Sequence, residues 1–277
     1  EWISIEVGMN IFTEAAKLEE QNCPFAMAQI VDSRGSTPRH SAQMLVRADG
    51  SIVGTIGGGM VERKVIEESL QALQERKPRL FHGRMARNGA DAVGSDCGGA
   101  MSVFISVHGM RPRLVLIGAG HVNRAIAQSA ALLGFDIAVA DIYRESLNPE
   151  LFPPSTTLLY AESFGAAVEA LDIRPDNFVL IATNNQDREA LDKLIEQPIA
   201  WLGLLASRRK VQLFLRQLRE KGVAEEHIAR LHAPVGYNIG AETPQEIAIS
   251  ILIGTVPNVV TMPSVNPSAP AVVKNTR

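Results

Sequence analysis

The run Leu114-Val115-Leu116-Ile117 is apolar on both alternating faces and breaks directly into Gly118-Ala119-Gly120-His121-Val122-Asn123. A strand with no polar face is what a parallel sheet covered on both sides requires. Beyond the turn, Ile126, Ala127, Ala130 and Leu133 recur at helical spacing, and a second apolar strand, 137–140, ends on Asp141. That acid follows the glycines by about 20 residues, where a carboxylate meets a ribose hydroxyl in a dinucleotide-binding sheet. Further strands are expected at 157–160, 178–182 and 201–205, with helices between them. Thr243-Pro244-Gln245-Glu246 has the form of a capping box with proline at the first helical position, opening a helix through Ile253. Residues 113–261 therefore read as an α/β, Rossmann-like doubly wound parallel sheet. Gly118, Gly120, His121 and Asp141 are its candidate nucleotide set. Asn123 stands where the fingerprint has its third glycine, and the other reading is a scaffold that keeps the turn without a dinucleotide.

The front half follows a different grammar. Gly54-Thr55-Ile56-Gly57-Gly58-Gly59-Met60-Val61-Glu62 sets three glycines against a helix whose apolar face is Val61, Val65, Ile66, Leu70 and Leu73. Such a loop leaves amide N–H groups at the positive end of a helix, a seat for an anion; a tight turn with no ligand is the alternative. No Gly-Lys-Ser/Thr follows, so it is not a P-loop. Glu62, in the first helical turn, is explained by the helix dipole, and a site role would come in addition. A helix over 9–21, a strand over 25–31 and a hairpin around Ala48-Asp49-Gly50 surround this feature. From Asp32 to His40 the chain reads as a polar loop in which Arg34 and Arg39 can fork onto phosphate or carboxylate oxygens, or else are surface charge on a flexible loop.

Cys97, between Asp96 and Gly98-Gly99, is a thiol on a turn beside backbone donors, suited to a soft metal or to sulfur chemistry, or else a small residue filling the turn. Cys23, beside an apolar strand, reads as inert. The first half is a small α+β domain over residues 1–108, and 108–112 is the linker. Residues 262–277, rich in Pro, Ser, Asn and Val, are expected to form a disordered tail, and Met9 is a candidate native start. In the second half, Ser207-Arg208-Arg209-Lys210 opens a helix with cations that oppose its dipole; an anionic ligand or an acidic partner at Arg208 and Arg209 is one reading, and a solvated basic turn is the other.

A net charge of −3 lacks the basic footprint of a nucleic-acid binder, and no apolar run reaches membrane-spanning length. Two cysteines make no disulfide framework, so a cytoplasmic setting is expected.

Several strings together resemble the xanthine dehydrogenase accessory family of the XdhC/CoxI type. They are Gly35-Ser36-Thr37-Pro38-Arg39, the Gly54–Gly59 run with Glu62, Cys97-Gly98-Gly99, Gly118-Ala119-Gly120-His121-Val122, Gly203 to Lys210, Leu231 to Gly236, and Ile239 to Ala248. The resemblance implies an N-terminal XdhC/CoxI-type domain before the Rossmann-like one. It also implies a protein that binds and protects the molybdenum cofactor (molybdopterin), supports its sulfuration with a cysteine desulfurase, and hands it to an apo molybdenum hydroxylase. The family's cysteine falls on Cys97, its Thr-Pro-Arg loop on Thr37 to Arg39, and its triple glycine on Gly57, Gly58 and Gly59. On that basis the glycines hold the phosphate, Ser36 and Thr37 meet pterin edges, and Cys97 contacts molybdenum or relays sulfur. A homodimer is expected. The competing reading is an NAD(P)-dependent oxidoreductase working through the second half, and a third is a binding protein that bridges hydroxylase and desulfurase without touching cofactor.

Overall fold

The computed structural model describes residues 10–35, 39–84, 99–184 and 186–255; the expected tail and the start at Met9 lie outside them. The chain divides into two compact units, residues 1–110 and 111–277. No helix among the described residues is long and apolar enough to cross a membrane.

The first unit runs α1 (Ile11–Glu20), β1 (Phe25–Arg34), β2 (Gln43–Arg47), β3 (Ile52–Gly54), α2 (Gly59–Glu75), β4 (Arg79–Arg84) and β5 (Ala100–His108). Its sheet has the order β3-β2-β1-β5-β4, and every neighbouring pair is antiparallel. One face is a core: Val61, Val65 and Leu73 of α2 pack over Ala28, Ile30, Met44, Val103 and Ile105. Burying apolar side chains of this size is worth about 1.5–3 kcal/mol each before entropy is counted, so α2 is held by packing more than by propensity. On the other face, α1 buries Leu18 against Phe25, Leu45 and Val53. The buried Glu14 of α1 accepts from Arg47 Nε and Nη2 at 3.1 and 2.9 Å, fastening the helix to the hairpin.

Two features differ from the sequence reading. β1 continues three residues into the segment expected to be loop, because Asp32, Ser33 and Arg34 find partners on β5; the register shifts between Ile30 and Asp32 and leaves Val31 as a bulge. β4, which shows no strong strand signal, forms because β5 offers it a free edge.

The second unit continues with β6 (Arg113–Ile117), α3 (His121–Leu132), β7 (Asp136–Asp141), β8 (Thr157–Tyr160), α4 (Phe164–Ala170) and β9 (Phe178–Ile181). After these come α5 (Asp187–Leu194), β10 (Trp201–Leu204), α6 (Arg208–Glu220), α7 (Glu225–Ala229), β11 (Leu231–His232) and α8 (Pro244–Leu252). The six strands are all parallel, in the order β11-β10-β9-β6-β7-β8. Chain progression reverses between β6 and β9, the switch point where open α/β sheets form a crevice. One face buries Val115, Ile181 and Leu204 under Leu191 and Phe214, and the other buries Leu116 and Leu180 under Ile126 and Ile251. The expected capping box is present on α8, with Thr243 and Glu246 each accepting from the other's end of the first turn.

Candidate functional site

In the first unit, the pairing directions carry three motif-bearing connections to the same end of the sheet. β1, β3 and β4 run one way and β2 and β5 the other. The connections after Arg34, after Gly54 and between Arg84 and Ala100 therefore leave in the same direction, the second from the level of Ala28, several rungs before the other two. Gly35 and Arg39 lie on the first, Gly57, Gly58 and Gly59 on the second, and the buried Gly99 on the third. Ser36, Thr37, Cys97 and Gly98 lie outside the described residues. The first connection is tied back at its far side, where Ser33 Oγ and His40 Nδ1 stand 2.9 Å apart.

The glycine loop itself departs from expectation. Glu62 Oε2 accepts from Ile56 N and Gly58 N, both at 3.1 Å, and from the hydroxyl of Thr55. Thr55 Oγ1 in turn accepts from Gly57 N at 3.0 Å. The inner amides read as a phosphate seat thus already hold the chain's own carboxylate, and Glu62 faces the loop, beyond what the dipole alone asks of it. The amides of Gly59 and Met60, in the first turn of α2, have no intrahelical acceptor. Gly58 and Gly59 have φ of 75° and 71°, and a Cβ on either would meet no atom within 4 Å. Their glycine identity serves the backbone conformation and leaves an open flank beside those two amides.

In the second unit, Gly118 has φ 101°, and a Cβ there would sit 2.4 Å from Ala182 O, so close packing across the switch point demands glycine. Gly120, with φ −72°, is the exposed N-cap of α3, and its flank is open. His121 is exposed at the start of that helix. Asp141 is only 5% exposed; its carboxylate accepts from Ala119 N at 2.5 Å and Tyr143 N at 2.9 Å. Buried and bonded to two amides, it staples the glycine turn to the end of β7. Asn123, also buried, donates from Nδ2 to Ile117 O and Gly118 O at 3.2 and 2.7 Å, so the residue in the third-glycine position braces the same turn.

The basic turn of α6 divides by role. Arg208 and Arg209 are exposed, whereas Lys210 donates to the fully buried Asp187. Asp187 also accepts from Thr183 N at 2.9 Å and Thr183 Oγ1 at 2.7 Å. Sequence reasoning missed this Thr183–Asp187–Lys210 cluster at the carboxyl ends of β9 and β10; an acid four residues after a threonine, just past a strand, was the available signal.

A separate cavity of about 110 Å³ opens at the amino end of β10, lined in part by Trp201, His227, Arg230 and His232. Gly203 makes room for the Trp201 ring, which stacks on His232 at 5.3 Å, and burial pulls the His232 imidazole below its usual pKa. Among the described residues, no three His, Cys, Asp or Glu side chains are grouped to hold a metal.

Comparison with known proteins matches residues 114–253 to the XdhC Rossmann domain and residues 18–83 to the XdhC and CoxI family. An uncharacterized protein YqeB of Escherichia coli K12 is 99% identical over 244 residues, covering 88% of this chain and 45% of that protein. A probable xanthine dehydrogenase component of Bacillus subtilis 168 is 30% identical over 153 residues, 54% of this chain and 44% of that one. The molybdenum cofactor insertion chaperone PaoD of Escherichia coli K12 is 25% identical over 257 residues, 82% of this chain and 80% of that one. The chain spans less than half the length of the first two relatives.

Proposed function

Since this chain belongs to the XdhC and CoxI family, we propose that it matures molybdenum hydroxylases by carrying the molybdenum cofactor, as a chaperone more than a turnover enzyme. The observation that carries this reading is that the three motif connections leave the five-stranded sheet in the same direction. The name of PaoD supports extending an insertion role to this chain. The cofactor is cargo here. Its phosphate would lie on the open flank of Gly58 and Gly59 against the amides of Gly59 and Met60, with Arg34 and Arg39 supplying positive charge. Ser36 and Thr37 would meet the hydrogen-bonding edges of the pterin. The Cys97 thiolate, with Gly98 and Gly99 allowing close approach, would contact the metal or relay sulfur. The client is an apo hydroxylase of the xanthine dehydrogenase type, and the sulfur donor is a cysteine desulfurase. A cytoplasmic homodimer built from an XdhC/CoxI-type domain and a Rossmann-like domain completes the proposal.

The second unit would contribute Gly118, Gly120, His121, Arg208 and Arg209 as a further anion-binding edge. A hydride-transfer enzyme using NAD(P) is disfavoured because Asp141 is spent on its own turn. The direct test replaces Cys97 with alanine and measures activation of an apo hydroxylase by the purified chain. Loss of activation with an unchanged melting temperature is expected. Equal activation by the variant removes the cysteine from the mechanism.

A further inference from the structure

The bulge in β1 has a consequence on the outer face of the five-stranded sheet. Ile30 pairs with Val103 and points into the core, and strict alternation from it would send Asp32 and Arg34 inward as well. One extra residue, Val31, reverses the parity, so Asp32 stands opposite Ser102 and Arg34 opposite Ala100 on the outward side. Ala100 is in turn opposite Arg84 of β4, and Ser102 is opposite His82. Two rows result on one face: Arg34, Ala100, Arg84 and, one step along, Asp32, Ser102, His82. This is the face that α1 leaves open, at the end toward which the three connections run.

The charges in these rows are not balanced. Arg34 Nε lies 3.3 Å from Asp32 Oδ2, but the two side chains are 83% and 54% exposed, and such a pair holds weakly. Arg84 is exposed and has no ion-pair partner among the described residues. Among the described residues, Ala100, with a methyl side chain, stands between the two arginines in the register. His82 Nδ1 stands 2.9 Å from Ser102 Oγ, which fixes its ring at the floor of the cluster. With strands about 4.8 Å apart, the two arginine backbones are separated by roughly 10 Å, a span that two long side chains close onto one tetrahedral anion. Like charges on one row repel unless an anion lies between them.

We propose that Arg34 and Arg84 form a clamp, across Ala100 and beside His82, for the phosphate or diphosphate group of a small-molecule ligand. The clamp does not rest on the cofactor reading, which places the cofactor's phosphate at Gly58 and Gly59: it is a separate anion seat on the outer face of the sheet.

The test is calorimetric titration of the full chain with inorganic pyrophosphate and, separately, orthophosphate, at low and moderate salt. The wild type should bind pyrophosphate with an affinity that falls as salt rises. Arg34→Ala and Arg84→Ala should each weaken binding about tenfold or more, as loss of a charge-assisted fork does. Arg84→Lys, which keeps the charge and loses the fork, should fall between. Arg216→Ala, an exposed arginine on α6, should bind as wild type does. All these residues are exposed, so melting temperatures should stay together. No binding by the wild type, unchanged affinity in the Arg84 variant, or an equal loss in the Arg216 control would each overturn the clamp. If pyrophosphate binding requires Arg84 while no pterin is ever retained, the clamp stands and the cofactor reading falls.

Discussion

Glu62 and Asp141 do the same work in the two units: each turns a carboxylate onto the amides of a glycine turn that sequence alone offers to a ligand. Removing such an acceptor leaves partly buried donors unpaired, which costs about 1–3 kcal/mol. Glu62→Ala should therefore lower the stability of the first unit by that amount and speed hydrogen exchange at Ile56 and Gly58, with Glu62→Gln intermediate. Unchanged exchange at both amides would show that the carboxylate does not hold the loop. The glycines of the second turn separate in the same way. Gly118→Ala must place a Cβ against Ala182 O from a φ of 101°, so urea unfolding should report a loss of several kcal/mol, about the scale of a steric clash added to backbone strain. Gly120→Ala, at φ −72° with an open flank, should cost less than about 1 kcal/mol. His232 gives the pH dependence. Burial lowers its folded pKa below the unfolded 6.5, so its contribution is present above that value and is lost as pH falls through the folded pKa. Proton NMR should find its midpoint below 6.5, and a midpoint above it would contradict the burial argument.

At the scale of elements, the first turn of α6 carries three cations against its dipole, and among the described residues a carboxylate relieves that tension at Lys210. Lys210 is neutralised by the buried Asp187, so Lys210→Met strands a carboxylate in the core and should destabilise the second unit by about 3–5 kcal/mol in urea unfolding. Asp187→Asn together with Lys210→Met should recover much of that loss. Much of the strand–helix alternation of the second half was legible from Leu114 onward because most of its parallel strands are short apolar runs; β11, two residues ending in His232, carries no such signal and was not expected. The capping box on α8 was legible because it is local. The sheet of the first unit was less so. β4 and the outer turn of β1 owe their existence to β5, more than sixty residues from Asp32 in the chain, and polar residues such as Asp32, His82 and Arg84 carry no strand signal of their own. For the same reason the glycine loop could be recognised as special while its occupant, Glu62, could not. Spacing shows that a helix begins there but not that its fourth residue folds back. Arg84 was invisible as a neighbour of Arg34 because the bulge that brings them onto one face is a property of pairing.

At the scale of the whole molecule, the proposed cargo role rests on family membership, and the place proposed for it rests on the direction in which the loops leave the first sheet. An antiparallel sheet sends three loops in one direction, and a separate doubly wound sheet follows it. Both units hold glycine-turn amides with internal carboxylates, and among the described residues of the first unit the flank of Gly58 and Gly59 and the arginines of the outer face stay open to solvent. The measurement that bears most directly on this account is the content of protein purified from a host that makes the molybdenum cofactor. Pterin fluorescence after acid release and molybdenum by mass spectrometry should appear together, in matching amounts, and should decline together in Cys97→Ala. Protein that carries neither above the level of an unrelated control, from cells whose hydroxylases are active, would contradict it.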